Sequence, residues 1–320
     1  MSPVQATITI DTVTVGNPGN VADSTGYGAV GYTYDIGTYE VSLLQYATFL
    51  NAVAAADTYN LYNPSMATNL NIAGISQSGS SGSYTYSVIG DGNRPVTYVS
   101  WFDAARFTNW LGNGQPSGLG EVAGSTETGA YTLNGAISGI ITKNAGATWY
   151  IPSEDEWYKA AYYDQSLNGG TGGYWLYPTQ SNSAPGNMVG SSPNQANYYN
   201  GVFSVTQSGT HSSSQNYLTP GGAYTASASA YGTFDQGGNV YEWNDAVISS
   251  SFRGLRGGAW NFNASSLQSS SRSFGDPSSD NHPDVGFRVA EIAAVPEPTG
   301  VLAGILSVAA MVFWRRRRHS

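Results

Sequence analysis

Gly237-Gly238-Asn239-Val240-Tyr241-Glu242-Trp243 is the stretch on which the reading of this chain turns. Two glycines free the backbone to turn its carbonyls inward, Asn239 adds an amide oxygen, and Glu242 adds a carboxylate three residues on. Oxygen donors gathered so closely suit a hard cation such as Ca²⁺. The same residues also describe a glycine turn capped by Asn239, with Glu242 paired to an arginine. Arginines stand nearby in Arg253-Gly254-Leu255-Arg256-Gly257-Gly258-Ala259-Trp260, and again in Gly286-Phe287-Arg288.

The 320 residues suffice for a sizeable core, and only 10% of them are charged against a usual share of about a quarter. With 40 glycines and 23 tyrosines, the surface is built largely from neutral polar and aromatic groups, which suits an exported protein. Acids outnumber bases 21 to 12, and four of the bases form the run Arg315-Arg316-Arg317-Arg318. The body ahead of that run is therefore strongly acidic and should repel nucleic acid. The cysteine count of zero removes disulfides, zinc–thiolate sites, iron–sulfur clusters and any thiol nucleophile.

Gly300 to Trp314 reads GVLAGILSVAAMVFW, uncharged and apolar, and runs straight into the arginines. This predicts a short transmembrane helix with a positive inside flank. At about 1.5 Å per residue it is shorter than a bilayer's hydrocarbon core, so snorkelling or local thinning is needed. Val295-Pro296-Glu297-Pro298-Thr299 precedes it. Such a tail predicts an export signal at the other end. Met1 to Ile10 lacks a basic n-region and an apolar run, so residues 1–6 read as a remnant of that signal, with the true start upstream.

Between the ends, Thr7 to Val15 alternates as a half-buried strand. Three helices are expected. Ser42 to Asp57 puts Leu43, Leu44, Ala47, Leu50 and Val53 on one face behind a serine cap, and Ser100 to Asn113 starts with Ser100 and Asp103. The third starts at Ser153-Glu154-Asp155-Glu156, whose acids read as helix capping rather than general acid/base groups. Gly26 to Gly31 is a literal GxGxxG without a following helix, so dinucleotide binding is not indicated. Residues 74–92, 112–142 and 168–230 read as long loops. The chain divides into an N-terminal strand and glycine-rich turn region (1–31), one body (32–292) and the tail (293–320).

Five phrases occur in fixed order: Asn93-Arg94-Pro95-Val96-Thr97-Tyr98-Val99-Ser100-Trp101-Phe102-Asp103-Ala104, Trp149-Tyr150-Ile151-Pro152-Ser153-Glu154-Asp155-Glu156-Trp157, the Gly237 stretch, the Arg253 stretch and Gly286-Phe287-Arg288. With the opening Tyr34-Asp35-Ile36-Gly37-Thr38-Tyr39-Glu40-Val41-Ser42, they resemble the sulfatase-modifying-factor family, which includes formylglycine-generating enzymes. The tail resembles the PEP-CTERM sorting signal that exosortases of Gram-negative bacteria recognise and process. The first resemblance implies an α+β fold with a C-type-lectin-like core, little regular secondary structure and long loops stapled by calcium. It implies one calcium site at Asn239, Val240 and Glu242, and a second at Asn197 and Tyr198. Residues 208–215, where the second site's acid should lie, contain no carboxylate.

The family's substrate groove maps onto Arg256, Trp260, Ser269 and Arg272, while Arg288 reads as a structural ion pair. Formylglycine formation there depends on two copper(I)-binding cysteines. Their places fall near Ala264 and Ser269, and neither side chain replaces a thiolate, so no copper is expected. The histidines, His211, His282 and His319, signal neither a metal site nor a triad. The expectation is an exported, surface-sorted, non-catalytic module for a carbohydrate or peptide ligand, with exosortase and the membrane as partners of its tail and no nucleic acid partner. The alternative is a modifying enzyme with a cysteine-free, metal-dependent mechanism.

Overall fold

Each of the three expected helices starts at the cap read from the sequence, and in each the reciprocal capping box is formed. In the computed structural model, which describes residues 7–279 and 282–293, these are α1 (Leu43–Val53), α3 (Trp101–Gly112) and α4 (Glu154–Tyr162). Ser42, Ser100 and Ser153 accept from the N3 amides, while the side chains of Gln45, Asp103 and Glu156 reach back to the cap amides. A single-turn helix, α2 (Ser65–Thr68), follows α1, and another, α5 (Leu167–Gly170), follows α4. Helix α1 stops four residues short of Asp57. The Ala54 carbonyl takes the Tyr86 hydroxyl, and the Ala55 carbonyl takes the amides of Gly82 and Tyr84. Leu44, expected on the buried face, is 57% exposed, and Tyr46 and Phe49 carry the burial instead.

Two four-stranded sheets support these helices. The first runs β1 (Thr12–Val15), β2 (Tyr34–Gly37), β12 (Ala290–Ile292), β5 (Trp149–Tyr150), antiparallel throughout, so both ends of the described body meet in one sheet. The strand expected over Thr7 to Val15 forms only at its C-terminal end. Ile8 spends both backbone groups on the side-chain amide of Gln115 (2.8 and 2.9 Å) instead of a ladder. The second sheet runs β10 (Ser273–Gly275), β9 (Phe252–Arg256), β8 (Tyr241–Ile248), β11 (Val285–Gly286), the last pair parallel. Inside residues 74–92, read as loop, lies the hairpin β3 (Ile75–Ser78) and β4 (Thr85–Val88). Strands β6 (Tyr163–Asp164) and β7 (Gly173–Tyr174) pair beside α4.

The core is aromatic. Tyr46, Phe49, Phe107, Trp110 and Phe287 interlock with ring centroids 5.3–6.5 Å apart, joining α1 and α3 to the segment that leads into β12. The rest of the fold is ordered loop. The expected transmembrane helix 300–314, the sorting tail beyond 293 and the residues 1–6 lie outside the described residues. Among the described residues no helix is long and apolar enough to cross a membrane.

Candidate functional site

Register in the second sheet places Glu242 of β8 opposite Arg256 of β9. Cross-strand partners share a face of the sheet, and here that face meets α4. Charges consequently collect in a dry layer. Glu154, the first residue of α4 and 5% exposed, receives Arg256 Nε at 2.8 Å and Arg272 Nε and Nη2 at 2.8 and 2.6 Å. Arg256 is 1% exposed and also donates to the carbonyls of Ser269 (3.0 Å) and Ser271 (2.7 Å). Arg272 keeps a third of its side chain in solvent, and its bonds to Glu154 hold its guanidinium above the usual arginine value. The Tyr27 ring lies 4.6 Å from Arg256 Cζ and 5.2 Å from Arg272 Cζ. Three of the four expected groove residues, Arg256, Arg272 and Ser269, are thus brought together around one carboxylate.

Trp260 is not with them. It packs in a separate cluster, its ring stacked on Tyr217 at 4.9 Å and 2° and tilted against Phe203, with the indole Nε1 buried without a partner. All three α4 acids sit in its first turn as expected, and Glu156 closes the capping box, while the other two also hold partners beyond the helix. Asp155 accepts from the Gly28 amide at 2.8 Å, tying the GxGxxG loop to α4, and Glu154 holds the arginine pair. Sequence reading missed Glu154 and Tyr27 as neighbours of the arginines. The available signal was two acids more than a capping box needs.

The Gly237 stretch follows the arginine-paired reading. Arg288 and Glu242, both fully buried, form a two-pronged pair, Nε to Oε2 at 2.5 Å and Nη2 to Oε1 at 2.7 Å, and Trp157 Nε1 donates to the same Oε2 at 2.7 Å. Arg288 therefore is the structural ion pair expected of it. Asn239 Oδ1 accepts from Asn197 Nδ2 (3.0 Å) and from the amide and hydroxyl of Thr219, and its Nδ2 donates to Glu40. Asn197 Nδ2 also reaches the Tyr217 carbonyl, and the Tyr198 hydroxyl donates to the Pro185 carbonyl. The two loops expected to hold separate ions are stitched directly to each other, amide to amide. Gly238 is obligatory at this seam: at φ +87° a Cβ would stand 2.2 Å from the Asn197 carbonyl oxygen. With the Glu242 carboxylate committed to a guanidinium and the Asn239 oxygen accepting from Asn197 and Thr219, the two side chains expected to lead the first calcium site do not fit a calcium donor set as they stand.

Two more acids share that interior. Glu40 is pushed well above the usual carboxylate range by burial and then by the charges of Asp235 and Glu242, while burial pushes Asp235 up to about 6. Glu40 Oε2 has no hydrogen-bond partner. Burial and mutual repulsion thus hold Glu40 and Asp235 above the usual carboxylate range beside the Arg288–Glu242 pair. Among the described residues no three His, Cys, Asp or Glu side chains gather to hold a metal ion.

Small sheets, capped helices and long ordered loops around a buried charge layer define a loop-dominated α+β domain with the formylglycine-generating-enzyme-like fold. Residues 24–293 match the model of the sulfatase-modifying factor enzyme 1-like domain, and the chain belongs to that family. Among solved structures, CarF is similar in fold at 21% identity, covering 89% of this chain and 99% of CarF with a TM-score of 0.51. Variable protein 1 of Treponema denticola (18% identity, 91% and 100% covered, TM-score 0.45) and PvdO from Pseudomonas aeruginosa (18%, 88% and 92%, 0.44) also match. No curated protein sequence matches the chain.

Proposed function

We propose that this domain is a non-catalytic ligand-binding module of an exported, surface-sorted protein, taking carbohydrate or peptide at the surface formed by Arg272 and Tyr27. The observation that carries the reading is what stands where the family's thiols would be. Ala264 opens a 3₁₀ turn capped by Asn263, and Ser269 gives its carbonyl to Arg256. No cysteine exists anywhere in the chain to hold a soft copper ion. Around these positions the charged groups are already neutralised, Arg256 and Arg272 by Glu154, which gives fixed donors rather than a reactive base or nucleophile. A partly exposed guanidinium beside a tyrosine ring recognises hydroxyl or carbonyl oxygens. Export, sorting by an exosortase and transient anchoring in the inner membrane belong to the same reading and rest on the tail's three ordered parts.

The test is binding of the full chain, solubilised in mild detergent, to glycan and peptide arrays, repeated with Arg272→Ala and Tyr27→Ala. A ligand lost at least tenfold in both variants is the expected result. Covalent change in an arrayed peptide that depends on added metal would replace this reading with the cysteine-free enzyme.

A further inference from the structure

At the N-terminal turn of α3 the chain builds a polar pocket of about 400 Å³, which shares no residue with the Arg272 surface. Its floor is Arg106, fully buried. One edge of the guanidinium is committed: Nε and Nη2 reach the two oxygens of Glu127 at 2.8 and 3.1 Å, and Nη2 also reaches the Ala136 carbonyl. The remaining nitrogen, Nη1, is buried and has no partner. Beside it in the pocket stands Asp103, 5% exposed, which accepts from the Ser100 amide through Oδ2. The Tyr59 ring covers Arg106 with 4.1 Å from Cζ to its centroid, and is held there because Glu121 takes the amides of Thr58 and Tyr59 at 2.7 and 2.8 Å. Exposed Ile137 and Ser138 form the rim.

A buried guanidinium N–H without an acceptor is costly, and a ligand oxygen that reaches it removes the cost. The occupant is further defined by charge. Three acids, Asp103, Glu121 and Glu127, act on the single Arg106, so an anion that satisfies Nη1 meets net repulsion, whereas an ammonium group leaves Nη1 unsatisfied. A neutral group that is acceptor and donor at once meets both demands, and adjacent hydroxyls on one ring supply this: one oxygen takes the Nη1 proton and the neighbouring hydroxyl donates to Asp103. Tyr59 is half-exposed and offers an aromatic face to the C–H side of such a ring. An extended peptide is disfavoured because no strand edge lines the pocket. The volume is at the small end of ligand pockets, sized for one or two rings. From this geometry we infer that the pocket is a binding site for a neutral carbohydrate ring, read by Arg106 and Asp103 against Tyr59.

Saturation-transfer NMR on the full chain in detergent, with neutral mono- and disaccharides at 10 mM and glucuronate, glucosamine and a capped tripeptide as comparators, tests this. Expected is transfer to at least one neutral sugar, with glucuronate and glucosamine each at least tenfold weaker. Ser138→Trp, which fills the rim from an exposed position, should abolish the signal without moving the melting temperature by more than about 2 °C. Asp103→Asn, which keeps an acceptor for the Ser100 amide, should weaken binding about tenfold. No neutral sugar bound at 10 mM, or the tripeptide displacing the sugar, overturns the assignment. So does a sugar signal that survives Ser138→Trp and disappears in Arg272→Ala, an outcome that moves the sugar to the Arg272 surface and leaves the function proposed above intact.

Discussion

Replacing Arg288 by methionine should cost about 4 kcal/mol at pH 7.5, and the cost should shrink on acidification. Arg288 is fully buried and makes two bonds to Glu242, one to the Gly37 carbonyl and one to the Phe234 carbonyl. Methionine fills a similar volume but leaves Glu242 with the Trp157 Nε1 hydrogen bond in place of the ion pair, beside Glu40 and Asp235. An uncompensated buried carboxylate would take a proton instead. Holding an ordinary glutamic acid protonated about three pH units above its usual value costs about 4 kcal/mol, within the roughly 3–5 kcal/mol typical of breaking a buried pair. That penalty falls by about 1.4 kcal/mol for each pH unit below 7.5 and is nearly gone at pH 5. Urea unfolding followed by tryptophan fluorescence at pH 5, 6 and 7.5 reads the difference directly. Arg288→Met/Glu242→Met, which removes both charges, should regain much of the loss at pH 7.5 and provides a folded comparison if the single variant is too unstable there. A loss under about 1 kcal/mol at pH 7.5, or one that does not change with pH, would refute the argument that Arg288 is what keeps a buried Glu242 charge compensated.

The wild-type domain should itself be more stable in mild acid. Burial pushes Asp103, Asp235 and Asp245 up to about 6, so the folded chain holds protons that the unfolded chain releases; their stabilising contribution is complete below about pH 4 and is lost as pH rises through about 6. Each changes stability by up to about 1.4 kcal/mol per pH unit, and the melting temperature should therefore be several degrees higher at pH 5 than at pH 7.5; a flat or rising profile toward pH 8 would contradict this. Millimolar Ca²⁺ or a chelator should leave the melting temperature within about 1 °C, since Glu242 is held by Arg288. A rise of several degrees that disappears in Glu242→Gln would return the Gly237 stretch to the ion-binding reading.

Local features of the fold were legible, because their physics is local. Ser42, Ser100 and Ser153 announce helices since cap and N3 partner are three residues apart, and nothing elsewhere in the chain is needed to form the box. Strand β1 was overread because pairing depends on what lies alongside: Gln115, more than a hundred residues away, takes the backbone groups of Ile8 that alternation assigned to a ladder. Leu44 was placed inside because helical periodicity gives a face but not its width, and here Tyr46 and Phe49 turn that face toward Phe107 and Phe287.

The sequence by itself determined the family, from ordered motifs over nearly the whole body, and excluded thiol chemistry, since a residue type that is absent cannot be supplied by any fold. It also narrowed Glu242 to two partners, an ion or an arginine. Tertiary structure chose between them: β8 and the segment before β12 bring Arg288 to Glu242 across 46 residues, while Glu154 meets Arg256 and Arg272 across 102 and 118. Arg106 and Asp103 lie one turn apart on α3, but the Tyr59 cover and the Glu127 partner reach Arg106 from two other segments. Charge pairing acts through distance and desolvation, and sequence spacing reports neither for groups that only folding brings together.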